Sequence, residues 1–126
     1  MIRLVYPVRL LSGQIEAYMI EALEKFDKWP SGDYRPILSL SVLPSNIAER
    51  FNGHLIEGRD DLDEFTAVCF SLDQIGPVLF ISHRNDSANQ TEVDVDLGVD
   101  AETAMHRVRT EFNIKDIQVL WKLDTS

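Results

Sequence analysis

Carboxylates are the residues of this chain whose type and spacing come closest to chemistry. The string Asp94-Val95-Asp96-Leu97-Gly98-Val99-Asp100-Ala101-Glu102 sets oxygen donors at alternate positions, as a calcium-binding loop does. It departs from that pattern in detail, because Gly98 stands where a third ligand belongs and no glutamate closes the loop. The interleaved Val and Leu make the same string an amphipathic strand. The pairs Asp60/Asp61 and Asp94/Asp96 could do acid–base work if burial raised one member, but on an exposed loop or strand face they serve as solubilising charge.

The other reactive types are dispersed. His54, His83 and His106 have no H-x-x-x-H or C-x-x-C arrangement to organise zinc, so no metal site is expected. The group His83, Arg84 and Asp86 is where a small-ligand or catalytic site built from separate residues would be sought. Cys69 lies in the apolar run Phe65-Thr66-Ala67-Val68-Cys69-Phe70 and is expected in a buried strand as a small hydrophobe. A single cysteine forms no internal disulfide, which argues against a secreted, disulfide-built domain. No G-x-G-x-x-G, G-K-[ST] or G-x-S-x-G occurs, so no cofactor is expected and binding is favoured over catalysis.

Charge carries more information than motif. The formal net charge is −9, which argues against a nucleic-acid backbone as partner. Residues 1–53 hold six acids and six bases, whereas residues 54–126 hold fifteen acids and six bases. The excess therefore sits in the second part of the chain. Asp60, Asp61, Asp63, Glu64, Glu92, Asp94 and Asp96 are expected to merge into one negative surface if Thr91–Leu97 lies beside the strand that follows Glu64. Charge on an outward strand face also protects a sheet from aggregation.

The elements that must position these groups follow from periodicity. Ile2 to Leu10 alternates as a strand, with Pro7 indicating an edge or bulge. Ser12 caps a helix whose apolar stripe is Ile15, Tyr18, Met19, Ala22, Leu23 and Phe26. Ile37–Leu43 reads as a strand, Pro44–Phe51 as a short helix closed by Asn52-Gly53, and Leu55-Ile56 as a brief strand before an exposed loop through Asp63. Phe65–Leu72 and Val78–His83 flank turn residues, and Thr91–Leu97 alternates Val93, Val95 and Leu97 inward against Glu92, Asp94 and Asp96 outward, which predicts an antiparallel meander. Asp100 caps a second helix that buries Ala101, Ala104, Met105, Val108 and Phe112, and Ile117–Leu123 forms a last strand. With 126 residues and no linker or repeat, one domain over 1–126 is expected. Its class is α+β: a mostly antiparallel sheet of about six strands with two main amphipathic helices packed on one face.

These features describe a non-catalytic protein whose acidic surface binds and inhibits a basic protein partner, as an immunity protein neutralises a nuclease toxin in a bacterial cytoplasm. The alternatives are a small enzyme or ligand-binding domain around His83, Arg84 and Asp86, and a homo-oligomer joined through an edge strand such as Ile2–Leu10 or Ile117–Leu123. Trp29 and Trp121 could anchor an interface, although core placement is the expectation for Trp121. No run approaches the length of a membrane span, and Pro7 and Arg9 break the N-terminal apolar stretch as no signal peptide would.

Overall fold

The computed structural model describes residues 2–7, 19–23, 32–59, 63–84 and 90–125. The β-branched and aromatic runs form strands, in the order β1 (Ile2–Pro7), β2 (Met19–Leu23), β3 (Tyr34–Leu40), helix α1 (Pro44–Phe51), β4 (Ile56–Arg59), β5 (Glu64–Leu72), β6 (Gly76–His83), β7 (Thr91–Asp96), helix α2 (Ala101–Glu111), a 3-10 turn (Asp116–Gln118) and β8 (Val119–Lys122). Six of the strands make one antiparallel sheet in the spatial order β4-β5-β6-β7-β3-β8. The expected meander is β5-β6-β7. The other two strands pair as an antiparallel ribbon that meets the main sheet through β2 against β5.

Local chemistry sets the boundaries. Pro44 opens α1 at a position whose amide has no partner in the helix, and Asn52 closes it in the left-handed region at φ 59°. Gly53 then passes so close to β5 that a Cβ there would lie 2.6 Å from Phe70 Cζ and 2.8 Å from Val68 Cγ2. The Asp100 carboxylate caps α2 by accepting from the Thr103 amide at 2.9 Å and the Thr103 hydroxyl at 2.8 Å, and these bonds hold its carboxyl below the usual range.

Both helices bury their apolar stripes against alternate residues of the sheet. Ile47 and Ala48 of α1 and Ala104, Met105 and Val108 of α2 join Val68, Phe70, Val78, Phe80, Val93 and Val95 in one core cluster. Phe112 sits at its centre, 5.0 Å ring to ring from each of Phe51, Phe70 and Phe80. Buried Thr91 is satisfied by donating to the Val42 carbonyl at 2.6 Å. On the opposite face Ile56, Cys69 and Leu79 form a smaller cluster with Tyr34 and Ile81, so Cys69 has its expected buried strand position.

Three expectations are corrected. Met19–Leu23 pairs as a strand with β1, Pro7 opposite Met19 and Tyr6 opposite Ile20, and is not part of a helix. An apolar run this short satisfies either period, and the neighbouring strand supplies the backbone partners that decide it; the rest of the expected helix, and Trp29, lie outside the described residues. Leu97 is 51% exposed because the strand ends at Asp96 and Leu97 enters a turn, its amide donating to the Asp33 carbonyl. Trp121 is 46% exposed, since its position on β8 turns it to the face away from the helices. Among the described residues no helix is long and apolar enough to cross a membrane.

Candidate functional site

The sheet face turned away from the helices is where β7 places its carboxylates. Val93 and Val95 point into the core, so period-2 alternation puts Glu92, Asp94 and Asp96 together on the other side. Pairing fixes their neighbours. Glu92 stands between Ile81 of β6 and Ser39 of β3, Asp94 between Leu79 and Pro36, and Asp96 beside Tyr34. Ser39 is flanked in turn by Trp121 of β8, which completes the row Ile81, Glu92, Ser39, Trp121.

None of the six strands of the main sheet places a Lys or Arg on this face. Arg35 is paired with core-facing Val95, Lys122 with core-facing Leu38, and Arg59 with Glu64, which alternation puts on the Val68 side. Every described Lys and Arg of the six strands therefore points to the helix side. Arg35 is engaged there, donating to the Val99 carbonyl at 3.2 Å.

The absence of donors is felt most at Asp94. Its cross-strand neighbours are both apolar, its Oδ1 is buried with no hydrogen-bond partner, and the nearest polar groups along the strand are acids. Burial, reinforced by a hydrogen bond and charge repulsion with Glu92, pushes the Asp94 carboxyl up to about 8. Asp94 is therefore largely protonated at neutral pH. Asp96 is used differently, its Oδ1 accepting from the Gly98 amide at 2.7 Å in a local turn. Tyr34 has its phenol raised by burial and by the charges of Cys69 and Asp96.

Among the described residues, Glu64 does not join the β7 acids as expected. β6 separates β5 from β7, and Glu64 lies on the helix side of the sheet. There its carboxylate accepts from Arg59 at 2.9 Å and from Arg84 at 2.5 Å, which lowers its pKa and neutralises it locally. Asp63 is half-buried beside it, and Asp60 and Asp61 lie outside the described residues. Of the seven acids singled out, the fold thus brings Glu92, Asp94 and Asp96 together.

The group around His83 is also divided. His83 packs edge-on to Phe65 at 6.0 Å on the face away from the helices, whereas the next residue, Arg84, reaches Glu64. Asp86 lies outside the described residues. His54 and His106 are exposed. Among the described residues no group of three or more His, Cys, Asp or Glu side chains is placed to hold a metal ion. The oxygens of the calcium-like string are spread over a strand, a turn and a helix cap, where Asp96 accepts from the Gly98 amide and Asp100 from Thr103.

Two features escaped sequence reasoning. One is a groove of about 690 Å³ between α2 and the C-terminal strand, with Leu38, Met105 and Ile114 beneath a rim of Glu102, His106, Arg109 and Lys122. Arg109 is bound to Asp116, so the rim mixes both signs of charge and selects neither. The other is the exposed apolar segment Ile117, Leu120 and Trp121 at the sheet edge. Alternation of the last strand was its only signal, and that required knowing what lay over each face.

The chain matches no protein-family model, no curated protein and no solved structure.

Proposed function

We propose that this chain is a non-catalytic binding protein that docks a basic protein partner on the β7-β3-β8 face of its sheet. The observation that carries the reading is the row Glu92, Asp94 and Asp96 on a face to which the six strands of the main sheet contribute no Lys or Arg. A negative face of this kind steers a cationic partner and speeds its encounter.

The partner class that fits is a small basic enzyme acting on nucleic acid, whose own active-site cleft must be cationic to hold phosphates. An acidic sheet face laid over that cleft inhibits it by occupying the substrate's position. The chain is then an immunity-type inhibitor working in the cytoplasm of the producing bacterium. Affinity capture from host lysate, eluted by rising salt, tests this. A basic protein retained by the native chain, lost with Glu92→Lys plus Asp96→Asn, and inhibited in nuclease assays by the native chain supports it. Equal capture by both chains contradicts it.

A further inference from the structure

The main sheet has two outer edges, and the chain treats them differently. β4 is guarded: Glu57, Gly58 and Arg59 occupy most of it, and Arg59 is tied to Glu64. β8 is not. Leu120 is 51% exposed, Trp121 46% and the preceding Ile117 85%, and among the described residues β8 is paired with β3 alone. The Leu123 amide donates inward to the Ile37 carbonyl at 3.0 Å, so alternation along the ladder turns the Lys122 amide out of the sheet. An outward amide beside exposed apolar side chains is a template for one more strand.

The neighbouring chemistry says which strand. Trp121 and Glu92 flank Ser39 in one cross-strand row, so a side chain projecting from the new strand on that face meets the indole first and the carboxylate behind it. A Lys or Arg there stacks on the ring, and Glu92, two strands further in, attracts it at longer range. A second copy of this chain fits poorly, because each copy carries a net charge of −9 and β8 itself would bring Lys122 towards Lys122. We infer that the basic partner adds an extended, Lys- or Arg-bearing segment to the outer edge of β8, as the seventh strand of the sheet. This rests on the basic-partner reading given above and specifies how that partner is held.

The probe is a synthetic peptide of roughly eight residues alternating Lys and Val, with an alternating Glu and Val peptide as its counterpart. Amide chemical shifts of the full chain report the site. The Lys–Val peptide is expected to move the Trp121 and Lys122 signals, and the Glu–Val peptide to leave them unmoved. Lys122→Pro and Lys122→Ala both remove the charge, but only the proline removes the outward amide, so binding should weaken at least about tenfold more in the proline variant. Peptide N-methylated along one edge must lose binding to the native chain, which keeps the test independent of whether the proline variant folds. No movement at Trp121 and Lys122 overturns the inference, as does equal binding of the N-methylated peptide or a dimer in solution that buries Trp121. A peptide that needs Glu92 but not the Lys122 amide overturns strand addition while leaving the basic-partner reading standing; one that needs neither removes both.

Discussion

Glu92 and Trp121 flank the same residue: Ser39 of β3 pairs with Glu92 on one side and Trp121 on the other. This juxtaposition joins an acidic strand near the middle of the sheet to an exposed apolar strand at its edge. A basic polypeptide laid across that row meets a carboxylate, a small hydroxyl and an indole in succession, the mixture of charge and aromatic surface that marks protein interfaces. The same face carries the Asp94 carboxyl in an apolar setting, which makes the face sensitive to protons.

The sign of that sensitivity follows from the direction of the shift. Asp94 is raised to about 8 in the folded chain, from 3.8 when unfolded, so folding favours its protonated form. The contribution is fully present below pH 4 or so and is lost as pH rises toward 8, at a limiting slope of about 1.4 kcal/mol per pH unit. Asp94→Asn removes the titration. Urea unfolding of both chains at several pH values should show the variant gaining relative stability between about pH 4 and about pH 8, reaching a few kcal/mol. A stability difference that does not change with pH contradicts the burial of Asp94.

Phe112 touches three other rings and is 2% exposed. Phe112→Ala leaves a cavity where α2 meets the sheet and should lower stability by about 3–5 kcal/mol, read from the shift of the denaturation midpoint. Phe112→Leu should lose much less. Similar losses for the two would place the ring outside the packed core.

Gly53 tests the closing of α1. A methyl at this position meets Phe70 and Val68 at under 3 Å, so Gly53→Ala should destabilise by about 1–3 kcal/mol through displaced side chains. The same change at an open loop glycine would stabilise slightly by stiffening the unfolded chain. Unchanged or increased thermal stability in Gly53→Ala would show that this loop does not pass over β5 as described.

Much of this fold was legible locally. Pro44 and Asn52 bound α1 because their backbone preferences act within a few residues, and Asp100 marks α2 because its cap reaches only to Thr103. The alternation of Glu92 to Asp96 read correctly for the same reason. What failed depended on contacts between distant segments. Glu64 was expected beside the β7 acids, but strand order inserts β6 between them and alternation turns Glu64 to the helix side, and neither follows from spacing. Trp121 was expected in the core because apolar strand residues usually face one; which face of β8 is covered is a tertiary fact. Met19 to Leu23 had both helical and strand periods available, and its pairing with β1 decided between them.

On this reading the acidic face of β7 and its neighbours captures a basic partner. The most direct test is the association rate of the native chain and of the Glu92→Lys, Asp96→Asn chain with the captured basic protein, at about 0.05 M and about 0.5 M salt. The native chain should associate at least about tenfold faster at low salt than at high salt, and the variant should be slow at both. Equal rates for the two chains, or a rate indifferent to salt, would contradict the claim.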